Sequence, residues 1–190
     1  MSLWDAKDSP LRITSQKGIT TKMKIPLIVI DMQTRYASAC QPFLLKKVIQ
    51  HIETAKKSHA PILIVEFRRY GKTRPEIMRL LTDYDNYQMV SKKLCDGSIP
   101  IQQMLEEKWC IKAPCPLKIC GIYTHGCIAE TAKGLVKEGF SVKVIEEACL
   151  ALPPVHNRQI ETWEKNGEVQ VIYKRKTPIE KLFPNYESSE

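Results

Sequence analysis

Short apolar runs alternate along the chain with stretches in which apolar residues recur at helical spacing. The runs predict strands at 25–31, 61–67, 87–91, 117–122, 140–145 and 169–173. Continuous apolar runs of this length are typical of strands that are buried on both faces of a sheet. The periodic stretches predict helices at 42–57, 75–82, 99–108, 127–138 and 155–165. Strands and helices are therefore expected to alternate along the whole chain.

This alternation predicts an α/β fold with three α/β/α layers. Right-handed crossovers between parallel strands favour a doubly wound, mostly parallel sheet of six strands. We interpret residues 1–24 as a flexible N-terminal arm, residues 25–180 as the folded domain and residues 181–190 as a C-terminal tail. A chain of 190 residues can bury a core of this kind without disulfides or metals.

Charge and cysteine content limit the expected partners and the expected compartment of the protein. The formal net charge is +8, but the lysines and arginines are scattered, so we do not expect a nucleic-acid partner. No apolar run is long enough to span a membrane, and residues 1–24 lack the apolar core of a secretory leader. The seven cysteines form no C-x-x-C pair, which favours free thiols in a reducing, cytoplasmic compartment.

Candidate chemistry is concentrated where the predicted strands end. The residues at these ends are Asp31, the segment 66–69, Lys92 and the segment 123–127. In doubly wound sheets, ligands bind at the carboxyl ends of the strands. We therefore expect these residues to meet at one rim of the sheet.

Cys127 and Asp31 are the most distinctive of these residues. Cys127 follows a strand and opens a predicted helix, where the helix dipole favours a thiolate and free N–H groups can hold an oxyanion. The alternative is a cysteine that only packs in the core. Asp31 ends an apolar strand, where burial would raise its pKa and suit it to act as a base, unless it merely caps the following loop.

These positions resemble the motifs of the isochorismatase-like cysteine hydrolases, which include nicotinamidases, N-carbamoylsarcosine amidases and isochorismatase. The motifs are Asp31-Met32-Gln33, Lys92, Gly121-Ile122-Tyr123-Thr124-His125-Gly126-Cys127-Ile128 and the strand with its acidic-Ala turn at 140–148. The resemblance extends from about residue 25 to residue 173.

The resemblance implies a catalytic triad of Asp31, Lys92 and Cys127. Asp31 would take the thiol proton, Lys92 would balance the charge, and the thiolate would form a thioester-type intermediate. The resemblance also implies a cis peptide between Ile122 and Tyr123, with the N–H groups of Tyr123 and Cys127 as the oxyanion hole. Lys93 is the alternative to Lys92, and only one of the two can enter the site, because neighbouring strand residues point to opposite faces. A further alternative is that both are surface lysines.

The resemblance also suggests how the substrate is bound. Tyr36 stands where the family carries an aromatic pocket wall, to which His125 could add. Arg68 or Arg69 could bind a substrate carboxylate, although either could instead be a solvated surface residue. The segment 66–71 lacks the histidines with which nicotinamidases hold a metal, so we expect neither a metal nor another cofactor.

Three functions are compatible with these residues. The first is hydrolysis of an amide or ureido C–N bond in a small, carboxylated or uncharged molecule. The second is isochorismatase-type cleavage of a vinyl ether, and the third is a catalytically silent binding protein on the same fold. We expect a small-molecule substrate and, from the family, a homo-oligomer.

Overall fold

Strands and helices alternate in the computed structural model, which describes residues 24–183. The strands are β1 (Leu27–Ile30), β2 (Ile62–Phe67), β3 (Tyr87–Lys92), β4 (Pro116–Ile122), β5 (Ser141–Leu150) and β6 (Gln170–Ile172). The helices are α1 (Pro42–Lys57), α2 (Pro75–Leu81), α3 (Ser98–Trp109), α4 (Ala129–Lys137) and α5 (Pro153–Asn166). Two 3-10 turns, Ala37–Cys40 and Ile179–Leu182, complete the regular structure of this part of the chain. The predicted α/β class is confirmed.

The six strands form one parallel sheet in the order β3-β2-β1-β4-β5-β6. The chain adds β2 and β3 on one side of β1, then crosses over and adds β4, β5 and β6 on the other side. The strand order thus reverses between β1 and β4, and in open α/β sheets ligands bind at this reversal. The doubly wound sheet predicted from the sequence is confirmed.

Helices cover both faces of the sheet. Helix α1 packs against α2, and α3 packs against α4. From β1 to β3 the chain moves towards one edge of the sheet, and from β3 to β6 it moves towards the other edge. Because the crossovers are right-handed in both directions, the two helix pairs lie on opposite faces. In α1, the buried residues Leu44, Val48 and Ile52 form the predicted apolar face. All four residues of β1 are buried, as expected for a central strand of such a sheet.

Strand β5 is longer than the sequence predicts. We expected it to end at residue 145, because two glutamates follow, but it continues to Leu150. The pairing with β4 shifts at a bulge and then resumes, with Gly121 opposite Cys149 and Ile122 opposite Leu150. Charged residues are tolerated inside the strand because the bulge lets them reach partners outside the sheet.

The helix predicted at 127–138 begins later than expected. An irregular turn, Thr124–Ile128, connects β4 to α4, and α4 itself starts at Ala129. Cys127 therefore lies in this turn, which we call the nucleophile turn, and not inside the helix.

The two ends of the chain were predicted to be an arm and a tail. Residues 1–23 of the predicted arm and residues 184–190 of the predicted tail lie outside the described residues. Near the end of the described residues, Ile179 is buried, and the Phe183 ring meets the Phe43 ring edge-on, with 6.2 Å between ring centres. In the part of the chain that the structure describes, none of the helices is long and apolar enough to cross a membrane.

Candidate active site

Asp31 lies directly after β1, beside the reversal of strand order. Its side chain is fully buried, and its backbone is left-handed, with φ of 55°. Aspartate is among the few residues other than glycine that are enriched in this conformation. The Asp31 N–H still donates to the Val65 carbonyl of β2 at 2.9 Å. The sheet therefore holds the aspartate on one side while the chain turns away on the other.

Gly121 of β4 allows the backbone of β4 to approach β1 next to Asp31. Its φ is +125°, and a Cβ atom added there would lie 2.0 Å from the carbonyl oxygen of Ile30. Only glycine fits this position. The close approach brings the end of β4, from which the nucleophile turn starts, next to the end of β1.

Lys92 ends β3 and reaches Asp31. The distance from Lys92 Nζ to Asp31 Oδ2 is 2.9 Å, and both side chains are buried. The Lys92 ammonium also lies 4.4 Å from the centre of the Phe67 ring, a cation–π contact. Lys93 is exposed. Of the two lysines left open by the sequence, Lys92 is therefore the one that pairs with Asp31.

The loop after β3 holds Lys92 from behind. Lys92 Nζ donates to the carbonyl oxygens of Leu94 and Cys95, each at 3.3 Å. Thr131 of α4 donates to the same Cys95 carbonyl at 3.3 Å and accepts the Gly97 N–H at 2.9 Å. The lysine is thus fixed by a loop that is itself tied to α4.

Cys127 completes the buried group. It is 7% exposed, and its thiol lies next to the Asp31 carboxylate, with which it interacts electrostatically. Burial raises the pKa of the Cys127 thiol well above its ordinary value, and the charge of Asp31 raises it further, whereas Lys92 acts in the opposite direction. Burial also raises the pKa of Asp31, although Lys92 and Cys127 partly offset this effect.

The raised pKa of the Cys127 thiol differs from what the sequence predicts. We expected the helix dipole to favour the thiolate, but Cys127 precedes α4 and faces a buried carboxylate. The resting site therefore holds a protonated thiol beside Asp31 and Lys92. Such a site needs a proton transfer from sulfur to the carboxylate before the sulfur can act as a nucleophile.

Tyr123 and Cys127 lie at the two ends of one closed turn. The Tyr123 carbonyl accepts the N–H groups of Gly126 at 3.0 Å and Ile128 at 3.1 Å. The peptide bond between Ile122 and Tyr123 is cis, as the family resemblance implies.

Tyr36 belongs to an aromatic cluster next to the triad. Its ring is stacked on Tyr70, with 4.6 Å between ring centres and 5° between planes, and meets Tyr123 edge-on at 5.7 Å. Burial and the nearby Asp31 and Cys127 raise the pKa of the Tyr36 hydroxyl. Tyr36 thus stays neutral and lies close enough to the triad to line a pocket over it.

The other predicted substrate-binding residues lie further out. Arg68, Arg69 and His125 are all exposed. The Arg69 carbonyl accepts a hydrogen bond from Arg35 Nη1 at 3.0 Å, and the His125 ring centre lies 6.2 Å from that of Tyr123. The structure therefore groups the buried triad with the half-buried Tyr36 and Tyr123 and the exposed Tyr70. It leaves Arg68, Arg69 and His125 at the surface.

Two residues of the site were not singled out from the sequence. The Gln33 side chain donates to the carbonyls of Phe67 at 2.9 Å and Gly71 at 2.7 Å, and accepts the Phe67 N–H at 2.7 Å. It joins the loops after β1 and β2. Tyr70 is the stacking partner of Tyr36. Gln33 is part of the recognised motif, but its role is set by contacts across more than thirty residues, which no local pattern reveals.

The segment 66–71 spans the end of β2 and the loop after it. It has no histidine, and Glu66 accepts hydrogen bonds from the Thr73 N–H at 2.7 Å and the Thr73 hydroxyl at 2.9 Å. Among residues 24–183, no group of three or more His, Cys, Asp or Glu side chains is arranged to hold a metal ion.

Solved structures share this fold at low sequence identity. The nicotinamidase of Staphylococcus aureus superposes with a TM-score of 0.67 at 14% identity and covers 78% of this chain and 99% of its own. The ribonuclease MAR1 of Caenorhabditis elegans superposes with a TM-score of 0.66 at 20% identity, over 85% of this chain and 80% of its own. An isochorismatase of Pseudomonas putida gives a TM-score of 0.61 at 18% identity, over 77% and 86% of the two chains. At these identities the likeness shows the fold alone.

Sequence comparison identifies the family. Isochorismatase domain-containing protein 2 of Xenopus laevis is 28% identical over 127 residues, which cover 65% of this chain and 58% of the relative. The chain therefore spans less than two-thirds of that relative's length. The family model described as the Isochorismatase domain matches residues 26–170, most of the chain and every residue of the triad. The chain belongs to the isochorismatase family.

Proposed function

We propose that this protein is a cysteine hydrolase that cleaves an amide or ureido C–N bond of a small molecule. The observation that carries the proposal is the buried group of Asp31, Lys92 and Cys127, in which a thiol lies next to a carboxylate that is paired with a lysine at 2.9 Å. Burying three ionisable groups together is costly unless they are paired, and such groups occur preferentially at functional sites.

The chemistry begins with a proton transfer. As the Cys127 sulfur attacks the substrate carbonyl carbon, its proton moves to the Asp31 carboxylate. The negative charge passes to the carbonyl oxygen, where the N–H groups of Tyr123 and Cys127 would hold it. Lys92 keeps its positive charge throughout and offsets the negative charge of the pair.

The intermediate then collapses in two stages. The C–N bond breaks, the nitrogen leaves with the proton from Asp31, and a thioester-type bond to Cys127 remains. Asp31 next takes a proton from water as the water oxygen attacks this carbonyl. The C–S bond breaks, the acid is released, and the sulfur regains the proton from Asp31.

The exposed residues suggest which substrates to try first. Arg68 and Arg69 are free to turn towards a ligand at the rim, and a guanidinium binds a carboxylate through two parallel hydrogen bonds. Tyr36 and His125 would contact the body of the substrate. We therefore place carboxylated amides and ureido acids ahead of neutral amides.

The experiment is a screen of amide and ureido compounds, with release of ammonia or amine and the intact mass of the enzyme as readouts. We expect a covalent adduct on Cys127, and loss of turnover in Cys127→Ser. As the general base, Asp31 should contribute about 10²–10⁴-fold to kcat/KM, which Asp31→Asn removes. Lys92→Met should also abolish turnover, whereas its exposed neighbour gives the matched control Lys93→Met, which should not.

Vinyl-ether hydrolysis is the second candidate, favoured by the raised pKa of Asp31. A carboxyl that keeps its proton can protonate the carbon of a vinyl ether, after which water adds and the alcohol leaves. This reaction needs Asp31 but no bond to sulfur. Turnover that survives Cys127→Ser but not Asp31→Asn would replace the amidase proposal with this one. A Cys127 that forms no adduct and alkylates like an ordinary thiol would favour a binding protein.

A further inference from the structure

A second buried group of side chains lies against the nucleophile turn. Thr124 is the first residue of the turn, and its hydroxyl lies 2.8 Å from Nδ1 of His156. The other ring nitrogen of His156, Nε2, faces Oε1 of Glu146 at 3.7 Å. Thr124 and His156 are both completely buried. Neither residue is part of the triad, and they lie 32 residues apart in the chain.

The group joins three separate elements. Thr124 belongs to the nucleophile turn, His156 to α5 and Glu146 to β5 at the bulge, where pairing with β4 is interrupted. Helix α5 packs directly on the turn. The turn, which carries Cys127, is therefore held by a helix that contributes no other residue to the candidate site.

Glu146 is anchored independently of His156. Arg175 donates to the backbone carbonyls of Glu146 at 3.3 Å and Cys149 at 2.7 Å. Burial tends to raise the pKa of Glu146, but His156 and Arg175 outweigh it, so the pKa lies below its ordinary value. The carboxylate therefore stays charged and faces Nε2 of the imidazole at 3.7 Å, while Nδ1 meets the Thr124 hydroxyl at 2.8 Å.

The order hydroxyl, imidazole, carboxylate is also that of a serine-type triad. Thr124 is not a nucleophile of this kind, because its side chain and that of His156 are fully buried and no substrate can reach them. A fully buried hydroxyl in a turn needs a partner, and here the partner comes from another element. The group can act on the chemistry only by fixing the backbone between Tyr123 and Cys127.

We propose that His156 is a positioning residue, which acts through Thr124 to hold Cys127 against Asp31. The proposal rests on the proposed function and deepens it. A turn pinned at Thr124 keeps the Cys127 sulfur next to the carboxylate that acts on its pKa. It also fixes the backbone that carries the N–H groups of Tyr123 and Cys127, the proposed oxyanion hole. Displacements of about 1 Å at such sites can cost about 10²-fold in rate.

The test follows Cys127 directly and needs no substrate. Iodoacetamide alkylation of Cys127 is measured against pH by mass spectrometry, in a background in which the exposed Cys40, Cys95 and Cys110 are serine. Thr124→Val removes the hydroxyl at nearly constant volume, and Thr124→Ser restores it. Thr162→Val, on the exposed side of α5, is the control.

We expect Thr124→Val to move the alkylation midpoint downward, towards the ordinary cysteine pKa of about 8.5, because the thiol leaves the carboxylate. Thr124→Ser and Thr162→Val should keep the wild-type profile. His156→Asn, which retains a nitrogen near the Nδ1 position, should stay closer to wild type than His156→Leu. If Thr124→Val does not fold, His156→Asn and His156→Leu provide the same test of the alkylation midpoint.

Two other outcomes separate the proposals. If wild-type Cys127 has a raised midpoint and folded Thr124→Val and His156→Leu keep it, His156 is structural only, and the inference is overturned while the proposed function stands. If wild-type Cys127 titrates like an ordinary exposed thiol, the proposed function fails and the inference fails with it.

Discussion

The charge balance of the site depends on a single carboxylate. Lys92 and Asp31 together are neutral, so ionising Cys127 adds a negative charge to a buried group that has no second cation. This repulsion, together with burial, raises the pKa of the thiol. The same carboxylate is the group that can accept the thiol proton. If Asp31 is the base, as we propose, it both suppresses the resting thiolate and enables its formation during the reaction.

Replacing this carboxylate should have opposite effects on alkylation and on turnover. In Asp31→Asn, the negative charge that raises the Cys127 pKa is lost, while the Lys92 ammonium that lowers it remains. We expect the pH midpoint of Cys127 alkylation to fall by about one unit or more. At a fixed pH below the midpoint, alkylation therefore becomes faster, although turnover is lost. An unchanged midpoint would mean that Asp31 does not act on the thiol.

The sequence predicted these residues better than their surroundings. Asp31 and Cys127 were identified because Asp31 directly follows an apolar strand, Cys127 lies a few residues after another, and both match a family motif. Lys92 was left open against Lys93, since only the pairing of Phe67 with Lys92 across the sheet decides which lysine turns inward. His156 was not identified, because its contact with Thr124 joins elements that are distant in sequence.

At the scale of elements, the contact between β1 and β4 decides whether the site can form. Gly121→Ala should destabilise the protein by about 4 kcal/mol or more, because the new Cβ atom would overlap the Ile30 carbonyl oxygen. Chemical denaturation measures the free energy of unfolding. Gly167→Ala is the matched control, since Gly167 also has a positive φ, of 69°, but nothing lies within 4 Å of its added Cβ. It should cost only about 1–2 kcal/mol. Equal costs would show that backbone conformation, and not the close approach, dominates at Gly121.

Strand β5 shows the limit of reading elements from apolar runs. Its predicted end rested on Glu146 and Glu147, which interrupt the run. In the fold, Glu147 pairs with Lys47 at 2.7 Å and His51 at 3.1 Å, both on α1. A charged residue can lie inside a strand when a neighbouring element supplies its partner, and that element is not visible in the run itself.

At the scale of the whole molecule, we predict a homo-oligomer. Leu94 and Ile99 are 73% and 53% exposed and flank the loop behind Lys92. Exposed apolar residues in one segment can mark an interface. Light scattering should therefore give a mass at least twice the 21.8 kDa of the chain. Leu94→Glu with Ile99→Glu should lower it, whereas Leu152→Glu, at a site 51% exposed elsewhere, should not. A monomeric wild type would contradict the prediction.

The position of β3 at the edge of the sheet has a consequence for how the protein loses activity. Lys92 is the last residue of a strand that has only β2 as a neighbour, and edge elements open at lower free energy than a central sheet. If β3 frays at this end, Asp31 keeps its place between β2 and β4 but loses its counter-ion. The proposed activity would then be lost through a local opening while the core stays folded. The hydrogen bonds from the loop at 94–97 to Thr131 of α4 oppose this opening.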